Sequence, residues 1–266
     1  MLDLIVNVDR MTDDLPAIRV GMAIAKRQAA FVTGLHVVAV YPPIMVVPEA
    51  IAQLDTEERQ ARARSTWWHA LCQRHDVKGA WEVVRGTYVP VLAKRSRLAD
   101  FIITSLPVQA PDSPIGFDNI TRTLFADAAP MLLVPDTWQG STQPERVLIA
   151  WNGSGEAADA IKAALPLLRM ASMVRVLDGE IEGLPGVAPP PLPLREWLSR
   201  QGVEVQWQPF NGGSDVGRAL LDSARSMDAE LLVMGAWGHS RISELILGGA
   251  TRQVLELTHL PLLLAH

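Results

Sequence analysis

The chain has 266 residues, 48% of them apolar, which suits one large domain or two of about 130 residues each. Its formal charge of −5 is shared out: residues 141–266 hold 10 basic and 14 acidic side chains and residues 1–140 hold 14 and 15, so neither half has the basic footprint of a nucleic-acid binder. The single cysteine, Cys72, excludes an internal disulfide and reads as a buried, neutral thiol in a reducing compartment.

The N-terminal "MLDLIVNVDR" lacks the basic n-region of a signal peptide. Pro, His or charged residues interrupt every apolar run short of a membrane span, so a soluble cytoplasmic protein is expected. Strand-like "LDLIVNVDR" (Leu2–Arg10) is followed by helix-like "PAIRVGMAIAKRQA" (Pro16–Ala29). A long charged helix is expected over Asp55–His75. The segments "ADFIITSLPVQ" (Ala99–Gln109) and "ITRTLFADAAPMLLVPD" (Ile120–Asp136) close the first half, and "PDTWQGSTQPE" (Pro135–Glu145) reads as a polar linker. In the second half, strands are expected at Val147–Trp151, Met173–Leu177, Val203–Gln208, Leu231–Met234 and Leu260–Leu264, with "EAADAIKAALPLLR" (Glu156–Arg169) as the helix after the first. Their cores are continuous apolar runs, the pattern of parallel strands covered on both faces.

The second half repeats the first. "AELLVMGAWGH" (Ala229–His239) aligns with Ala99–Gln109, and "ATRQVLELTHLPLLLAH" (Ala250–His266) with Ile120–Asp136, both at an offset of 130 residues without a gap. "ERVLIAWNGS" (Glu145–Ser154) aligns with Leu2–Arg10 at an offset of 143, pairing Asn152 with Asp9. The first copy therefore carries 13 extra residues, assigned to the charged helix. The expected fold is α/β: two tandem doubly wound, parallel five-stranded sheets, in domains 1–138 and 144–266. In such sheets ligands bind outside the carboxyl ends of the strands. That is where "GAWG" falls, after Leu231–Met234.

The arrangement "GAWG", nine residues, then "GGAT" is similar to the G-x2-G-x9-G-[ST] signature of the universal stress protein family. "AWNGS" at the end of a first strand and "LLVMGAWGHSRISELILGGATRQVL" as a whole resemble the same family, and the resemblance extends over both halves. It implies a Rossmann-like, tandem universal stress protein that regulates rather than catalyses, and that binds ATP, alone or with Mg. Carried over by position, the base site is Asn152, where the family has aspartate, together with backbone at Val176 on the second strand. The ribose and phosphates fall to Gly235, Gly238, Gly248 and Gly249, with Ala250 and Thr251 in the helix behind them. Two departures stand out: Asn152 has an amide in place of the carboxylate, and Gly249 lacks the family's terminal hydroxyl.

The residues agree with that reading. Gly235 and Gly238 allow backbone N–H groups to face an anion without Cβ interference. Gly248 and Gly249 open a helix whose N-terminus suits a phosphate, with Ser240, Arg241 and Thr251 as side-chain donors. The competing reading is that the glycines serve turns and close helix packing alone. There is no Walker-type lysine.

In the first copy the same offset puts Ser105, Val108, Asp118 and Asn119 at the four glycine positions, and "SLPVQAPDSPIGF" adds prolines without N–H groups. Only Asp9 persists, so this copy is expected to be degenerate and to act as a packing partner. The apolar last strands, "PMLLVP" and "LPLLLA", suggest that the two copies pair within the chain; a homodimer of the whole chain is left open.

The remaining motifs are weaker. "FNGGSDVG" (Phe210–Gly217) resembles an ATP-pyrophosphatase loop but reads as a turn with Ser214 or Asp215 capping a helix. None of the six histidines has metal-ligand spacing. Trp67, Trp68, Trp197 and Trp207 read as core, Trp151 and Trp237 as strand-end residues beside the pocket. "VAPPPLPL" (Val187–Leu194) reads as a stiff loop. A family scaffold that has lost nucleotide binding is the alternative; an ATP-processing enzyme finds no catalytic constellation.

Overall fold

The computed structural model describes residues 1–40, 48–106, 117–126, 128–180, 190–236 and 249–266. Expectations for Val108, Trp237, Gly238, His239, Ser240, Arg241 and Gly248, and for most of the proline-bearing loop after Leu106, lie outside these residues. The chain divides into two compact units, Met1–Thr137 and Trp138–His266. Most of the expected linker therefore belongs to the second unit, where Trp138 Nε1 donates to the Ser141 carbonyl at 3.0 Å.

The first unit runs β1 (Asp3–Asn7), α1 (Pro16–Gln28), β2 (Phe31–Ala39), α2 (Pro48–Ala63), α3 (Ser65–His75), β3 (Lys78–Gly86), α4 (Tyr88–Ser96), β4 (Phe101–Leu106), α5 (Phe117–Phe125), β5 (Met131–Pro135). The second runs β6 (Arg146–Trp151), α6 (Gly155–Leu168), β7 (Met173–Asp178), α7 (Leu194–Arg200), β8 (Gln206–Pro209), α8 (Val216–Ser226), β9 (Leu231–Gly235), α9 (Gly249–Leu257), β10 (Leu262–Ala265). Strand order is β3-β2-β1-β4-β5 in one unit and β8-β7-β6-β9-β10 in the other, with parallel pairing. In both, the order reverses beside the first strand, between β1 and β4 and between β6 and β9. β4, β5 and β10 are buried at every position, whereas β3 is half buried and β8 largely exposed. Continuous apolar runs thus mark the inner strands.

The repeat is visible in the register. Leu4 pairs with Phe101, and Val147 with Leu231, the positions that the offsets 143 and 130 exchange. The last strand departs from the gapless alignment. Ile102 N–H donates to Pro130 at 2.9 Å, and its counterpart Leu232 donates to Pro261 at 3.0 Å, so the two prolines are equivalent and the offset there is 131. A strand buried on both faces is apolar at every position, so a one-residue slip leaves its pattern unchanged.

Two further expectations are corrected. The single helix Asp55–His75 is two helices, α2 starting earlier at Pro48 and α3 following a break at Arg64 (φ −77°, ψ 1°). The break lets both Ala61 and Trp68 turn inward; the indole of Trp68 lies flat on Gly34, where a Cβ would stand 2.6 Å from its ring. The strand expected over Val203–Gln208 starts only at Gln206. Gly202 is left-handed (φ +76°), and the Val203 N–H returns to the Leu198 carbonyl at 2.9 Å, spending that group on the end of α7. The same closure ends α1, α3 and α8, at Ala29, Asp76 and Asp228.

Candidate functional site

In the second unit the reversal of strand order brings together the carboxyl ends of β9, β6 and β7. The β6–α6 connection is three residues long. Trp151 ends the strand, 3% exposed. Asn152 follows, exposed, its Oδ1 accepting the Ser154 N–H at 3.1 Å. Gly153 adopts φ +77°, and Ser154 caps α6 by accepting the Ala157 N–H at 3.1 Å. The Asx turn therefore uses the amide oxygen of Asn152, and its Nδ2 makes no hydrogen bond among the described residues.

Gly235 ends β9 against the first turn of α6. A Cβ there would stand 2.5 Å from the Ala157 nitrogen and 2.8 Å from the Glu156 carbonyl carbon. Close packing alone accounts for this glycine, because no side chain fits. Gly249 differs: it opens α9, is exposed, and among the described residues nothing lies within 4 Å of where its Cβ would be. Ala250 is half buried, its carbonyl oxygen 2.8 Å from the Cβ position of Gly217, which packs α8 onto α9. Thr251 is 4% exposed and faces the interior. Asp215 caps α8 by accepting the Arg218 N–H at 3.3 Å, so "FNGGSDVG" is a turn and helix start.

Val176 lies two residues before the end of β7, fully buried and paired in register with Ile149 and Trp207. The residues of β7 at the mouth are Asp178 and, beyond it, Glu180. Asp178 accepts the Trp207 Nε1–H at 2.8 Å and the Glu180 N–H at 3.1 Å, and its carbonyl takes the Phe210 N–H at 2.7 Å. Glu180 Oε2 accepts the Trp151 Nε1–H at 2.8 Å, while Oε1 would lie 2.5 Å from a Cβ on Gly153. Arg195 covers the Trp207 ring at 5.0 Å. Glu180 was missed in the sequence because it stands past a strand end, in no motif. The one available signal was a carboxylate two residues beyond a strand that itself ends in Asp.

The same place in the first unit is occupied by its own side chains. Asn7 Nδ2 donates to Tyr88 Oη at 2.6 Å and to Thr104 Oγ1 at 2.8 Å. Burial pushes the Tyr88 hydroxyl up to about 12. Arg10 bonds Asp136 at 2.6 Å, tying the loop after β1 to the end of β5, with Asp9 exposed beside it. Ser105, at the position of Gly235, is buried with no partner for its hydroxyl among the described residues. The cysteine is buried as expected, and desolvation raises its thiol to about 11. No described helix is long and apolar enough to cross a membrane.

Residues 144–266 match the family model described as the universal stress protein family. A universal stress protein of Synechocystis is 28% identical over 199 residues, covering 71% of this chain; the chain spans 59% of that relative's length. Among solved structures, a universal stress protein from Archaeoglobus fulgidus is similar with a TM-score of 0.74 at 14% identity, covering 99% of this chain and 97% of that one. A functionally unknown protein from Pseudomonas aeruginosa matches with a TM-score of 0.60 at 14% identity, covering 100% and 92%. At such identities the structures speak for the fold.

Proposed function

We propose, on the premise that the chain belongs to the universal stress protein family through its second unit, that this unit binds one adenine nucleotide, ATP alone or with Mg. The protein then acts as a cytoplasmic regulator of the stress response and not as an enzyme. The observation that carries the reading is the start of α9. Gly249 opens a nine-residue helix with no described residue within 4 Å of its Cβ position, and the sequence places Gly235, Gly238 and Gly248 before it. The positive end of the helix dipole favours a phosphate there. Asn152, at the end of β6, and the end of β7 beyond it lie on the side away from β9 for the base.

A second reading is favoured by Gly235, whose absence of a side chain is fully explained by the 2.5 Å approach to Ala157. If the other glycines serve packing in the same way, the protein is a scaffold of the same family. In the first unit the glycine positions carry Ser105, Val108, Asp118 and Asn119, and the polar groups Asn7, Tyr88 and Thr104 bond one another, which favours a unit without a nucleotide. Mass spectrometry of small molecules released by heat from the purified chain separates the readings. An adenine nucleotide in near-stoichiometric amount supports the first; a preparation that yields none and takes up none when soaked in ATP supports the scaffold.

A further inference from the structure

We infer that Glu180 reads the base at this site, and that it selects a 6-aminopurine over a 6-oxopurine. The inference rests on the nucleotide reading above and deepens it. With phosphates at the start of α9, the base must extend from β9 across β6 toward β7, two strand spacings, roughly 10 Å. Glu180 stands at the far end of that path, just beyond β7. A base must find both a donor and an acceptor there, or leave its polar edge unpaired.

The Ser154 N–H turns the Asn152 Oδ1 toward the chain, so the Nδ2 donor is the part of this amide that we assign to the base. The acceptor is Glu180 Oε1, which lies against the bare α-carbon of Gly153, the residue next to Asn152, and takes no hydrogen bond from the described residues. Its position is fixed three times over: Trp151 holds Oε2 at 2.8 Å, Asp178 holds the backbone N–H at 3.1 Å, and Gly179 N–H bonds the Trp151 carbonyl at 2.8 Å. Glu180 Oε1, against Gly153, and the amide of the adjoining residue Asn152 thus offer an acceptor and a donor at the neighbouring ends of β7 and β6. Adenine offers the complement, an amino N–H beside ring N1. Hypoxanthine offers the reverse, with O6 facing the carboxylate.

Trp151 also dictates what a neutral replacement would do. In Glu180→Gln the indole N–H requires the amide oxygen, so the amide NH2 turns to the base and the site becomes a pair of donors. The test measures binding of ATP and ITP, which differ only at position 6, by calorimetry on the full chain. The wild type should favour ATP by about tenfold or more, the usual worth of a hydrogen bond to a charged group. Glu180→Gln should equalise or invert the ratio. Glu180→Asp, which keeps the charge but withdraws it by one methylene, is the second arm and should lose ATP affinity without gaining ITP. Melting curves of both variants establish that they fold. A wild type that binds both nucleotides alike, or an unchanged ratio in Glu180→Gln, overturns the assignment to Glu180 alone. A wild type that binds neither overturns the nucleotide reading with it.

Discussion

The α-carbon of Gly235 and the backbone nitrogen of Ala157 approach so closely that a methyl group on the glycine would lie 2.5 Å from that nitrogen. The end of one strand is thereby locked to the first turn of the helix that follows its neighbour, α6. Gly235→Ala must displace that turn, against backbone and not a flexible side chain. We expect a loss of about 1–3 kcal/mol in urea unfolding, the usual range for overpacking, and the same loss with or without nucleotide. A variant as stable as the wild type would mean that the strand end and α6 separate freely.

Gly249 should behave in the opposite way. No described residue occupies the space a side chain would enter, and serine is a better helix residue than glycine. Gly249→Ser should leave stability within about 0.5 kcal/mol, as for surface changes in general. It should also raise ATP affinity, through a hydroxyl at the helix start. Unchanged affinity by calorimetry would detach this position from the ligand.

The cap on α6 gives a third expectation. Ser154→Ala removes the acceptor for the Ala157 N–H and should cost about 1 kcal/mol. Asn152→Asp should cost little, because a carboxylate accepts the Ser154 N–H as the amide oxygen does. Paired thermal melts of the two variants check the contrast; equal losses would contradict the Asx turn.

In the first unit the buried Tyr88 makes stability depend on alkaline pH. Its folded pKa, raised to about 12 by burial, lies above the ordinary value of 10, so the neutral form favours the fold. That contribution is complete below pH 10 and is lost as pH rises toward 12, at roughly 1.4 kcal/mol per pH unit. Tyr88→Phe should flatten the decline. Tyrosinate absorbance against pH follows it, and ionisation of Tyr88 near pH 10 with the fold intact would contradict its burial.

Much of this was legible in the chain. A repeat, parallel sheets and the strand end at Trp151 follow from apolar runs and their recurrence, since strands buried on both faces carry that pattern in their composition. What stayed hidden depends on geometry the pattern does not encode. The slip at Pro130 and Pro261 leaves an all-apolar strand looking the same. The break at Arg64 answers to where Ala61 and Trp68 must face. Glu180 is placed by a tryptophan 29 residues away, and that link has no local signature.

The central claim is that the second unit alone carries a nucleotide. Calorimetric titration of the full chain with ATP, beside Gly238→Asp, tests it most directly, because a charge at Gly238 would repel phosphates wherever the cradle is intact. The account predicts one ATP per chain for the wild type and none for the variant. A stoichiometry near two, binding untouched by Gly238→Asp, or no heat at millimolar ATP would contradict it.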